Sequence, residues 1–207
     1  MDVVEREMTA VRVAAWGGVL GPVVFATLVI VGGAATDGYS HVTQKISELG
    51  AVGAQYATLQ NVNFLILGVS IVGFAWALAK RIGPPVLGPV LVGLFGIVAV
   101  LHAFVNCDVG CKGQTGEGLL HNVTGVIGFV AMISGMVILA RRWRTDAEWK
   151  PYVPFTWSAA TVAIVGLVVF VFTQANDIQT FAGVAQRVFA GAFLIWIAVT
   201  AARLLRH

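Results

Sequence analysis

The chain is predicted to be all-α: an integral membrane bundle of six transmembrane helices with both termini on the cytoplasmic side. Three observations carry that prediction. The mean hydropathy is +0.86, and 58% of residues are hydrophobic against 11% charged, whereas a soluble domain carries about 25% charged residues. Six apolar runs follow one another with short polar links. The basic residues are sorted between alternate links. At 207 residues the chain has room for about six spans of roughly 20–25 residues each, so residues 1–207 read as one domain with no separate soluble part. The 24 glycines suit a bundle in which small residues let helices approach closely.

The runs are Val11–Ala35, Ala57–Ala79, Val86–Val105, Leu119–Ala140, Phe155–Thr173 and Phe181–Leu205. Each is long enough to cross as a helix, which satisfies its own backbone in lipid. Met1-Asp-Val-Val-Glu5-Arg6-Glu7 lacks the basic start of a cleavable signal, so the first run is expected to stay as an anchor. Pro22 lies inside that run and predicts a kink, and Gly17-x-x-x-Gly21 predicts a helix–helix contact. Pro84-Pro85 punctuates the turn into the third run, and Pro151 and Pro154 the approach to the fifth.

Arg6, Arg12, Lys80, Arg81, Arg141, Arg142, Arg144, Lys150, Arg203 and Arg206 fall in one set of connections. Only Lys45, Lys112 and Arg187 fall in the other. The positive-inside rule places the first set in the cytoplasm and turns the first, third and fifth loops outward, as expected for a multi-pass protein of the cell membrane. Topology is a sufficient reason for the basic clusters, and a net charge of +3 gives no ground for a nucleic-acid partner.

The outward loops hold nearly all the unusual chemistry. Polar groups are costly in a bilayer, and where they gather they mark a functional-site candidate. The stretch His102-Ala-Phe-Val-Asn106-Cys107-Asp108-Val-Gly110-Cys111-Lys112, followed by Glu117-Gly-Leu-Leu-His121-Asn122, is the densest such gathering. Cys107 and Cys111 face the oxidising side on this topology, and Gly110 lets the segment turn, so a disulfide clip is expected. His102 and His121 flank one loop and so belong to neighbouring helices. With Asp108 as orienting carboxylate they form an acid–base candidate set, since imidazole titrates near neutral pH. The same groups, His121 and Asp108 first, also offer a weaker divalent-metal reading, and each His can equally serve as a hydrogen-bonded packing residue. Arg187, near the outer end of the sixth run, is costly unless paired. It suits an interhelical tie to Asp177, Asp108 or Asp37, or a grip on an anionic head group. Asp37, Glu48, Asn122 and Asp177 complete the candidate ligand-binding set. Asp37, Asp108 and Asp177 recur at a spacing of roughly 70 residues, which reads either as a trace of repeated hairpins or as Asp ending helices on a polar surface.

At Ile46-Ser47-Glu48-Leu49-Gly50, followed by Cys107-Asp108-x-Gly110-Cys111 and His121-Asn122, the chain resembles the prokaryotic six-span membrane family catalogued as domain of unknown function nine hundred and ninety-eight. The resemblance covers about residues 10–205 and implies the six-helix topology; it implies no catalytic assignment.

The chain has no Gly-rich phosphate loop, no Cys-x-x-Cys pair, no His-Glu-x-x-His and no haem attachment motif. No charged residue stands at the centre of a run, which argues against a proton-driven transporter. Two main functional readings stay open, beside a weaker third, a carrier or sensor without chemistry. One is an outward-opening polar pocket that binds, and in one version modifies, a lipid-like molecule; its most specific form is a metal-dependent hydrolase. The other is a non-catalytic accessory subunit that docks a membrane-protein partner or a second copy of itself.

Overall fold

The computed structural model describes residues 3–206. Its elements are α1 (Val3–Ala35), α2 (Ala57–Ile82), α3 (Leu87–His102), α4 (Gly116–Trp143), α5 (Val153–Ala175) and α6 (Ala182–Leu204). Short 3₁₀ turns at Ile46–Gly50, Val109–Cys111 and Lys150–Tyr152 lie between them. No strand occurs among the described residues. Each helix packs on the next, and α6 returns to α1, so the six close into a ring with α2 also touching α6 across it.

Five of the helices are long and apolar enough to cross a membrane. The exception is α3, whose 16 residues rise only about 24 Å at 1.5 Å per residue. The sequence predicted this helix to reach Val105, but the chain leaves it at Ala103. The N–H of Ala103 turns to the Val100 carbonyl at 3.1 Å, and those of Phe104 and Val105 both turn to Leu101 at 3.0 Å. This tightened last turn leaves the Val105 carbonyl facing α4. In the other direction α1 begins at Val3 rather than Val11. The charges at Glu5, Arg6, Glu7 and Arg12 hid that extension from a reading based on apolar runs. Glu7 meets Lys80 at 2.7 Å, an exposed pair of the kind that adds little stability.

Close approach between helices is made by glycine. A Cβ at Gly68 would lie 2.6 Å from the Gly96 carbonyl oxygen, and one at Gly96 would lie 2.9 Å from the Gly68 oxygen. The α2–α3 crossing therefore brings backbone onto backbone. Gly17 and Gly21 both face Ser70 on α2, which gives the small-residue pair a packing role. Pro22 sits within α1 without ending it. Pro89 falls in the first turn of α3, where a missing N–H costs no helix bond.

The two ends of the ring differ. At the basic end Trp143 stacks on Trp149 with ring centroids 4.6 Å apart, and Trp196 donates to Thr156 Oγ1 at 3.0 Å. Arg142 donates to the carbonyls of Ile82, Gly83 and Pro85, closing the orphan acceptors at the end of α2. This end is sealed by aromatic packing and cations. At the other end the loops after α1, α3 and α5 converge over the bundle.

Candidate functional site

Lys45 is the residue on which the three loops meet. Its side chain is only 4% exposed. Nζ donates to the Gly110 carbonyl at 2.7 Å and to Gln174 Oε1 at 2.9 Å, with the Cys111 carbonyl at 3.4 Å. One ammonium thus spans the loop after α1, the loop after α3 and the end of α5. Burial draws its pKa below the ordinary lysine value, while the charges of Glu48 and Asp108 oppose that shift. Glu48 also accepts from the Lys45 backbone N–H at 2.9 Å, fixing the start of the 3₁₀ turn that follows.

The loop after α3 is held internally as well. Cys107 and Cys111 form a disulfide with Cα atoms 4.9 Å apart, and Gly110 between them takes φ +73°, a left-handed conformation that suits glycine. Asp108 accepts backbone N–H groups from Gly113, Gln114 and Thr115. Thr115 in turn caps α4 by accepting from Gly118 N–H at 2.9 Å. Burial pushes the Asp108 carboxyl up, but the bonds from Thr115, Gly113, Gln114 and Lys112 outweigh it and hold the group below its usual range. The carboxylate therefore organises the entry to α4; its hydrogen-bond partners are backbone N–H groups rather than an imidazole.

The two histidines do come together. Their rings stack with centroids 3.8 Å apart and planes 17° from parallel, and both are buried. The partners dictate the tautomers. His121 Nδ1 lies 2.8 Å from the Val105 carbonyl, an acceptor only, so Nδ1 carries the proton and Nε2 keeps a lone pair. Thr124 gives its single hydroxyl proton to the Leu120 carbonyl at 2.7 Å. It must then accept from His102 Nε2 at 3.1 Å, so His102 is protonated on Nε2. The early end of α3 is what places the Val105 carbonyl within reach of His121.

Arg187 is bound elsewhere. It donates to the carbonyls of Gln44 at 2.8 Å and Gly183 at 3.0 Å, to Tyr39 Oη at 2.6 Å and to His41 Nδ1 at 3.0 Å. Three of its five hydrogens fasten the loop after α1 to the start of α6 and a fourth stays within α6, beside Gly183, where a Cβ would lie 2.3 Å from the Gln44 oxygen. Asp177 accepts from Gln179 Nε2 at 3.0 Å. Asp37 lies exposed on the far side of the same loop, its backbone N–H on Gln55 Oε1 at 3.1 Å.

His41 makes this fastening sensitive to pH. Burial and the Arg187 charge push its pKa below 6.5, against a backbone hydrogen bond that raises it. Folding favours the neutral ring, so its contribution is full above the ordinary value and is lost as pH falls below it. Protection of residues 39–45 from hydrogen exchange, corrected for the intrinsic amide rate at each pH, is expected to fall as pH drops below 6.5, and His41→Gln to abolish that dependence. A pH-independent protection factor in the native protein would contradict it.

Beneath the loops lies a cavity of about 450 Å³. Its floor is apolar, from Phe25, Phe64, Leu67, Phe95, Phe129 and Phe189 on five helices. Its upper wall is polar, from Lys45, His102, His121, Asn122, Gln174 and Gln186. Asn122 turns its amide nitrogen to the Cys111 carbonyl at 3.2 Å, and Gln186 Oε1 accepts from the Ile46 N–H at 2.6 Å. Val126 on α4 and Val171 on α5 line the cavity and are still 46% and 47% exposed. Asp177 and Lys112 stand at its outer lip, whereas Arg187, Asp37, Glu48 and Asp108 do not line it. Among the described residues no three His, Cys, Asp or Glu side chains gather as a metal-holding group.

Lys45 carries far more of the site than its sequence context signalled. The clue available was its position: a lysine on the side the positive-inside rule depletes needs a local reason to be there. A family model described as "Protein of unknown function (DUF998)" matches residues 19–203, from α1 to the last turn of α6. No curated protein and no solved structure matches the chain.

Proposed function

Since the chain belongs to the family described as "Protein of unknown function (DUF998)", whose description names no activity, we propose a function from its cavity: a multi-pass membrane protein that binds an amphipathic small molecule. The tail lies on the phenylalanine floor, the head meets the polar wall, and entry is from the side, between α4 and α5. The single observation that carries this reading is the division of one cavity into an apolar half deep in the bundle and a polar half under the loops. Its volume of about 450 Å³ falls within the roughly 300–1,000 Å³ of small-molecule sites.

In this reading all six helices span. The two ends of α3 are extended by the turn at Pro84-Pro85 and by the residues after His102. Both termini are cytoplasmic, because the basic residues that seal the Trp143 end belong on that side. The cavity then opens in the outer half of the membrane. His121 and His102 are the groups that meet the head, and the lone pair on His121 Nε2 gives the same position a base for proton transfer. Asp108, Arg187 and Glu48 act one step back, by holding the loops that form the roof.

Native mass spectrometry of gently extracted protein tests the proposal. The native chain is expected to retain an amphiphile. Ala190→Phe, which fills the cavity from α6, and Val126→Trp, which blocks its mouth, are each expected to lower occupancy roughly tenfold, a change that needs only about 1.4 kcal/mol. Native protein that carries no amphiphile and takes up none from lipid nanodiscs would overturn it.

A further inference from the structure

We propose that the head-group position selects an uncharged, hydroxyl-bearing amphiphile of the monoacylglycerol type, whose hydroxyl donates to Nε2 of His121. This deepens the amphiphile reading above and rests on it.

Once the protein's own hydrogen bonds are made, the polar wall keeps a small set of unmatched donors and acceptors. Lys45 has three ammonium hydrogens, and three oxygens stand around them: Gly110, Cys111 and Gln174 Oε1. Its hydrogens are matched inside the protein. Arg187 does not line the cavity, and four of its hydrogens already have partners. Lys112 and Asp177 line the outer end as exposed opposite charges. What remains deep in the wall is neutral. His121 is 4% exposed, its Nδ1–H is spent on Val105, and Nε2 has no partner among the described residues, so it offers a lone pair to the cavity. Asn122 has its amide nitrogen committed to Cys111, which leaves its carbonyl oxygen as a second acceptor. Gln186 has its oxygen committed to Ile46, which leaves its amide nitrogen as a donor.

A head group read by these three atoms must give hydrogens to two of them and accept from the third. A monoacylglycerol head, with two free hydroxyls, does both, whereas a simple alcohol has only one hydrogen to give. A carboxylate has no hydrogen to give and would set its charge against two lone pairs, and a quaternary ammonium likewise has none. Leaving a buried acceptor unmatched is what a site of this kind discriminates against most strongly.

The test compares three probes of equal chain length at equal mole fraction in nanodiscs: 1-monooleoylglycerol, oleate and 1-oleoyl lysophosphatidic acid. Native protein is expected to hold the monoacylglycerol at least about tenfold more than either anion. His121→Phe is expected to level the three while still binding amphiphile. On native protein, with no variant needed, the ¹⁵N resonance of His121 Nε2 is expected to move on adding monooleoylglycerol and to stay in place with oleate. Equal or stronger binding of an anion, or a preference that survives in His121→Phe, overturns the head-group assignment and leaves the amphiphile reading standing. Failure of all three probes to bind overturns both.

Discussion

Lys45→Met is expected to lower the thermal unfolding midpoint by about 6–12 °C, because it removes the ammonium that joins three loops. The substitution keeps most of the buried stem and deletes only the charge and its hydrogens. The Gly110 carbonyl and Gln174 Oε1, at 2.7 and 2.9 Å in the native protein, lose their donor. Hydrogen bonds to a charged group contribute about 1.5–3 kcal/mol each when a partner is removed. A net loss of about 3 kcal/mol corresponds to that midpoint shift at roughly 2–4 °C per kcal/mol for a chain of this size. The loss is local as well as global. Hydrogen exchange around Lys45, Gly110 and Gln174 should speed up together, although the three are far apart in sequence. A midpoint within about a degree of native, with unchanged exchange in all three loops, would show that the ammonium is incidental to the roof.

Asp108→Ala is the second large effect, expected at about 2–4 kcal/mol. Three backbone N–H groups lose a charged acceptor at once, and they form the entry to α4. Asp108→Asn keeps the shape and one amide oxygen, so it should fall between the native protein and the alanine variant. Because the native carboxyl is held below its usual range, its contribution is present at neutral pH and fades only in strong acid, below the ordinary carboxylate value of 3.8. Exchange at Gly113, Gln114 and Thr115 is the direct measurement. If asparagine proved as damaging as alanine, charge and not the number of acceptors would set the effect. If both matched the native protein, Asp108 would have no part in holding the entry to α4.

These two residues also show which parts of the molecule are legible in one sequence. The helices are legible because lipid demands long apolar runs. The exceptions have physical causes: the charged first turns of α1 interrupt the apolar signal, and α3 ends early because the carbonyls of Val100 and Leu101 draw the next N–H groups into a tighter turn. The pairing of His102 with His121 is legible because two neighbouring helices carry them on either side of one loop. The partners of Lys45 and Arg187 are not. Most are main-chain carbonyls, which carry no residue signature, and all but the Gly183 carbonyl lie 65 to 148 positions away. A search for carboxylates opposite Arg187 therefore points to Asp177, Asp108 and Asp37, whereas the guanidinium reaches Tyr39, His41 and two carbonyls. Asp108 shows the reverse: its partners are five to seven residues on, and an Asp ahead of a Gly-rich link and a helix start is itself a signature of local bonding to backbone N–H groups.

In the proposed function, entry between Val126 and Val171, which line the cavity and are exposed, is from hydrocarbon and not from water. For an amphiphile entering there, filling is governed by its share of the surrounding leaflet rather than by its aqueous concentration. Adding detergent would then dilute the guest and compete for the same doorway, and the protein would respond to changes in lipid make-up that leave the water phase untouched.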